Sequence, residues 1–191
     1  MDNYSTSRKV AVFLADGCEE IEALTVVDLL TRSGIPRTMV SINPTREVTS
    51  SHGVTITADT TVDQLPFDEY DMLVLPGGIP GTPNLEACSP LCDALKRFAA
   101  SGKQIAAICA APSILAHLGL LKDVKATCNP SFEDDLEQHG ARLTWQPVTV
   151  YRSFITSQAM GTAIPFGLAI VTHYLGDRTA TELRDKIKYR Q

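Results

Sequence analysis

Cys109 closes the run Gln104-Ile105-Ala106-Ala107-Ile108 and is followed by Ala110-Ala111-Pro112-Ser113-Ile114-Leu115. The run reads as a buried strand and Pro112 as an early helical position, so the thiol falls on a strand-to-helix turn. Unpaired N–H groups at a helix start favour an anion, which lowers a cysteine pKa and can hold an oxyanion. The pattern is that of a nucleophile elbow with cysteine in place of serine, without the glycines of G-x-S-x-G. Taken alone, a cysteine is more often a core residue than a nucleophile.

Two other strand ends offer usable groups. Asp16-Gly17-Cys18-Glu19-Glu20-Ile21-Glu22 follows the first strand, and Pro76-Gly77-Gly78 follows a second. A carboxyl held near a thiol in a partly apolar pocket stays protonated, because two anions resist close approach. Such a Glu22 could donate a hydrogen bond to a Cys109 thiolate and shuttle a proton. Its spacing fits equally an exposed first-turn acid favouring the helix dipole, which is the better reading for Glu19 and Glu20. Glycines let backbone N–H groups approach a ligand closely, although Gly77-Gly78 alone reads as an ordinary turn.

The elements that position these groups alternate. Lys9–Ala15 reads as a central strand and Glu19–Ser33 as a helix stopped by Gly34. Arg37–Ile42 reads as the second strand, and Glu47–Ser51 with Val54–Ala58 as a short pair. Met72–Leu75 follows as a buried strand. Ser89-Pro90 is expected to cap a helix over Leu91–Ala100, closed by Gly102. Gln104–Ile108 and Pro112–Leu118 carry Cys109 between them. Ala126–Cys128 and Val148–Ser157 supply later strands, with terminal helices over Gly161–Leu175 and Thr179–Ile187. Alternation of this kind predicts an α/β sandwich with a mostly parallel sheet, whose ligands gather beyond the strands' carboxyl ends.

Composition narrows the function. The chain has 191 residues and a net charge of −5, with no clustered Lys/Arg stripe, which argues against nucleic acid or an anionic membrane as partner. Residues 1–8 read as a disordered lead-in without a signal-peptide core, and 9–191 as a single domain of a cytoplasmic protein. Five cysteines, an odd number, do not suggest a disulfide framework. Cys88 and Cys92 sit four apart but lack a second ligand pair, and the four histidines form no H-x-x-x-H or H-x-E. No structural metal is expected.

Asp16-Gly17-Cys18-Glu19-Glu20-Ile21-Glu22-Ala23, Leu75-Pro76-Gly77-Gly78, Ala106-Ala107-Ile108-Cys109-Ala110-Ala111-Pro112, and Thr156-Ser157 with Gly161-Thr162 together resemble the ThiJ/PfpI superfamily. The likeness is nearest to the branch of the Parkinson's-disease-associated protein deglycase and its bacterial relatives, and runs from about Lys9 to Leu175. It implies a flavodoxin-like three-layer sandwich, similar to class I glutamine amidotransferases, and a homodimer. It makes Cys109 the reactive thiol and Glu22 its protonated partner. Backbone N–H groups of Gly77, Gly78 and Ala110 would form the anion nest. Arg32 matches a dimer-interface arginine and equally fits a helix C-terminal cation.

Several positions depart from that pattern. Asn129 stands where some members carry histidine before Pro130, Ala110 where peptidase-like members carry histidine, and Ala159-Met160-Gly161 where Gly-Pro-Gly is usual. The late H-x-E pair of glutaminase relatives is absent around His173. The resemblance implies a cofactor-free glyoxalase or deglycase acting on methylglyoxal-type 2-oxoaldehydes or their amine and thiol adducts. The alternative is a non-enzymatic redox sensor or stress chaperone working through oxidation of Cys109.

Overall fold

The computed structural model describes residues 6–190. Most of the expected lead-in, residues 1–5, lies outside the described residues. Arg8 Nη1 meets Asp71 Oδ1 at 2.7 Å in an exposed ion pair.

In chain order the elements are β1 (Val10–Leu14), α1 (Glu20–Ser33), β2 (Arg37–Ser41), β3 (Glu47–Thr49), β4 (Thr55–Thr57), β5 (Thr60–Thr61), β6 (Met72–Leu75), α2 (Gly81–Glu86), α3 (Ser89–Ser101), β7 (Gln104–Ile108), α4 (Pro112–His117), β8 (Lys125–Ala126), α5 (Glu133–Gln138), β9 (Arg142–Leu143), β10 (Val148–Tyr151), β11 (Phe154–Ser157) and α6 (Ala163–Lys186). Seven strands form one sheet in the order β10-β11-β7-β6-β1-β2-β5, parallel except for the edge hairpin β10–β11. Short pairs β3–β4 and β8–β9 stand apart from it.

Strand alternation builds the three layers. Val10 and Val12 of β1 face a core with Val26 and Leu30 of α1 and Phe166 and Ile170 of α6. Ala11 and Phe13 face the opposite core, with Leu91 and Leu95 of α3 and Ile114 of α4. Both faces of β1 are covered, as a central parallel strand requires, and every residue of it is buried. Helices α1 and α6 approach so closely that a Cβ at Gly167 would lie 2.6 Å from Leu29 Cδ1.

Some elements differ from the sequence expectation. Cys88, not Ser89, is the residue before α3, and no side chain caps that helix. The six-residue helices α2 and α5 were not expected, whereas Gly176, at φ 80 and ψ 167, breaks α6 where the two terminal helices were expected to separate.

The order reverses between β1 and β6: the chain builds outward through β2 on one side, then through β7 on the other. The neighbouring carboxyl ends of β1, β6 and β7 lie at this switch point, where open α/β sheets bind ligands. Phe166, fully buried between α6 and the sheet, tests the packing. Phe166→Ala is expected to cost about 3–5 kcal/mol in urea unfolding. A loss below about 1 kcal/mol would mean that this face is not closely packed.

Candidate active site

The backbone at Cys109 has φ 67, left-handed and uncommon for a residue with a side chain. Such conformations persist where neighbours over-determine them. Here the Cys109 N–H donates to Ser157 O at 3.0 Å, and its carbonyl accepts from Asn129 N at 2.8 Å. The elbow is thus clamped between β11 and the segment entering α5. The thiol remains half-buried.

Glu22 reaches it from α1. Glu19 caps that helix, its side chain accepting from Ile21 N, and Glu22 then falls on the inward face with Ala23 and Val26. The two roles left open by spacing are separated by burial: Glu22 is 1% exposed. Its Oε2 accepts from Gly77 N at 2.8 Å, and the carboxyl shares a hydrogen bond with the Cys109 side chain. Gly77 lies against both partners; a Cβ there would sit 2.7 Å from Cys109 Cβ and 2.8 Å from Glu22 Oε2. Gly78, at φ 95, has no room either, because a Cβ would come within 2.4 Å of Glu19 N.

The expected nest is divided in its work. The Gly77 amide donates to the carboxyl, whereas the Gly78 and Ala110 amides bond to the sulfur. Asn129 adds a contact that spacing did not suggest: its Nδ2 faces Cys109 Sγ at 3.7 Å. Its Oδ1 accepts from Ser131 N at 3.0 Å, which fixes the amide so that the NH2 points at sulfur. A neutral donor therefore occupies the place of the missing imidazole. The only signal for it in the sequence was its position before Pro130.

Burial governs the charges. It pushes Glu22 up to about 7, against the opposing hydrogen bonds from Gly77 and Cys109. The Cys109 thiol is pushed up to about 12, first by burial and then by the Glu22 charge, against the Ala110 and Gly78 amides. The lowered thiol pKa expected from the helix start is therefore not met, because burial beside a carboxylate outweighs two N–H donors. Cys109's rise includes the charge of its partner and would relax were that partner neutral. The two groups thus form one titrating unit that gives up a proton near neutrality and retains the other far above it.

The remaining cysteines differ. Cys18 and Cys128 are raised by burial to about 11 and about 12, much like Cys109, but unlike it they are fully enclosed. Arg32 lies in the last turn of α1 and pairs with Asp28 at 2.6 Å. Met160 is exposed in the turn before α6. Among the described residues, neither group of three or more metal-type side chains includes Cys109 or Glu22.

A doubly wound α/β sandwich with a thiol on a strained elbow, and a buried carboxyl bonded to it, defines a class of cysteine-elbow proteins. Residues 8–173 match the DJ-1/PfpI family, and the chain belongs to it. The Drosophila melanogaster protein dj-1beta is 34% identical over 177 residues, covering 93% of this chain and 95% of that protein. The Arabidopsis thaliana protein DJ-1 homolog B is 33% identical over 180 residues, 94% of this chain and 41% of that protein. The chain thus spans less than half the length of that plant relative. The Caenorhabditis elegans protein named glutathione-independent glyoxalase DJR-1.2 is 30% identical over 168 residues, 88% of this chain and 89% of that one. Among solved structures, Drosophila melanogaster DJ-1beta superposes with a TM-score of 0.93 at 33% identity, covering 97% of this chain and 100% of that one. Oxidized Toxoplasma gondii DJ-1 gives 0.91 at 32%, covering 96% and 100%.

Two outcomes follow. Gly77→Ala should cost about 1–3 kcal/mol in urea unfolding, because its Cβ must displace the elbow or the carboxyl. Glu22, with its folded pKa raised to about 7, holds a proton that the unfolded chain has already released above about 4.5. Stability from this group is therefore full at acid pH and falls as pH rises through 7. Relative to Glu22→Gln, the native protein should lose on the order of 3 kcal/mol between pH 5 and pH 8, read from urea midpoints. Parallel pH profiles for the two proteins would contradict the raised carboxyl.

Proposed function

We propose that the protein is a cofactor-free enzyme that converts methylglyoxal-type 2-oxoaldehydes, free or as adducts of amines and thiols, to 2-hydroxy acids. The observation that carries this reading is the hydrogen-bonded pair of Cys109 and Glu22, with amide donors beside the sulfur. The name of the worm relative is consistent with it.

In the monoanionic pair the Cys109 sulfur adds to the aldehyde carbon, and the proton of the pair passes to the new oxygen, giving a hemithioacetal. The Gly78 and Ala110 amides steady that oxygen while it carries negative charge. Glu22, as carboxylate, then removes the proton from the former aldehyde carbon, giving an enediolate, and returns it to the adjacent carbon while the hydroxyl proton passes to the neighbouring oxygen. The product is a thioester of the 2-hydroxy acid. Water cleaves it, releasing the acid and restoring the thiol. A pKa near 7 suits a group that both takes and gives a proton. Starting from an adduct, the same steps would read out as deglycation.

The homodimer and a cytoplasmic location complete the proposal. Ile21 and Leu24 leave apolar side chains 48% and 36% exposed on α1, whose last turn carries Arg32. Such a face suits a second copy of the chain. No helix among the described residues is long and apolar enough to cross a membrane.

A second reading, redox sensing or chaperone action, is favoured by one contrast. Cys109, like Cys88, is half-buried while Cys18 and Cys128 are fully enclosed, so peroxide would reach the elbow in preference to those core thiols. Intact mass after mild peroxide separates the two: two oxygens added at Cys109 without aldehyde turnover favours sensing, and oxidation spread over all cysteines counts against it.

Loss of methylglyoxal in amine-free buffer tests the enzymatic reading. Turnover should rise as pH passes through about 7, where the pair becomes monoanionic. Cys109→Ala should abolish it and Glu22→Gln should slow it about 100-fold or more while erasing the pH inflection. Equal rates for all three proteins would reject the mechanism.

A further inference from the structure

Away from the elbow, four side chains from three segments converge. His117, the last residue of α4, lies between two carboxylates: its Nδ1 meets Glu86 Oε1 at 2.6 Å and its Nε2 meets Asp135 Oδ2 at 2.9 Å. His139, just past α5, sets Nδ1 at 2.8 Å from the Asp135 carbonyl and 3.3 Å from its Oδ1. The two imidazoles touch edge to face, with centroids 4.7 Å apart. One ligand atom from each of His117, Asp135 and His139 lies within 4.8 Å of the others.

We infer that His117, Asp135 and His139 form a binding site for a divalent transition-metal ion of borderline softness, with Glu86 as the outer residue that orients His117. Ligands about 2.1 Å from a common ion stand about 3 Å apart when adjacent and about 4.2 Å apart when opposite. The 2.9 Å contact of His117 Nε2 with Asp135 Oδ2 is already an adjacent-ligand spacing; His139 Nδ1, 3.3 Å from the other carboxylate oxygen, must give up its bond to the Asp135 carbonyl to coordinate. The ligand atoms lie within 4.8 Å of one another, so the widest pair must close by at most about 2 Å to become adjacent, a movement that half-exposed side chains can supply by rotamer change. Glu86 accepting from Nδ1 leaves Nε2 as the coordinating nitrogen, the carboxylate–histidine–metal arrangement that holds metal-bound imidazoles. On binding, the ion replaces the proton that Nε2 shares with Asp135, and that proton leaves to solvent. Two imidazoles and one carboxylate suit zinc, nickel, copper or cobalt rather than magnesium or calcium. The other such group, Glu19, Glu20 and His52, holds a single imidazole.

The placement gives the site a purpose. Glu86 ends α2, which follows Gly77-Gly78; His117 ends α4, which follows Cys109; Asp135 belongs to α5, which follows Asn129. An ion here would tie together α4 and α5, with α2 joined through Glu86, the three short helices that follow the segments building the elbow. Sequence spacing could not reveal it, because the ligands meet only in the fold.

Cobalt titration of the full chain in a Cys109→Ser background tests the site. Visible d–d bands without thiolate charge transfer are expected, together with a thermal midpoint that rises with metal concentration. His117→Asn and His139→Asn should each weaken binding at least tenfold. Glu86→Gln keeps all three ligands and should weaken it about tenfold through lost orientation. Far-UV circular dichroism checks that each variant is folded; His139, on the surface, is the least exposed to that objection. Absence of binding at millimolar cobalt, a thiolate band as the sole signal, or equal affinity in folded histidine variants would overturn the inference.

Discussion

A thiol and a carboxyl buried against the same glycine cannot both carry charge, and the site is organised around that exclusion. Glu22 and Cys109 are brought together where Gly77 offers no side chain to separate them, and the amides of Gly77, Gly78 and Ala110 are divided between oxygen and sulfur. The arrangement holds one negative charge and one proton near neutral pH. Whether the proton rests on oxygen or sulfur is a matter of movement along a single hydrogen bond. Chemistry that needs a nucleophile at one step and a proton carrier at the next can use such a pair without a histidine.

The fold supplies this closeness through its topology. Because strand order reverses between β1 and β6, three segments far apart in the chain end side by side. Each contributes one part: the carboxyl from α1 after β1, the glycines after β6, the thiol after β7. The left-handed turn at Cys109 is held by β11 and by Asn129. Strain at the elbow is thereby distributed over the sheet and the segment leading to α5.

Much of this was legible in the residues. Apolar strands that break off in Gly-Cys, Pro-Gly-Gly or Cys-Ala announce their carboxyl ends, and an alternating strand–helix pattern puts those ends on one edge of a parallel sheet. What was not legible depended on burial or on tertiary meeting. Helix-start reasoning counted the donors around Cys109 but could not count the solvent removed from it, so it gave the thiol shift the wrong sign. Helices α2 and α5 are six residues each, one carrying Pro83 in its first turn and the other opening on Glu133-Asp134-Asp135, too short and too polar for apolar periodicity. Two-residue strands such as β5 leave no pattern at all. Asn129 looked like a lost imidazole because residue type alone does not show where an amide points.

The most direct measurement is a carbon-13 NMR titration that follows Glu22 Cδ and Cys109 Cβ together. A coupled pair predicts that both resonances move in one shared step near pH 7, with a second step only well into the alkaline range. A Glu22 carboxyl that ionises in the ordinary range near 4.5, with no response from Cys109, would contradict the account.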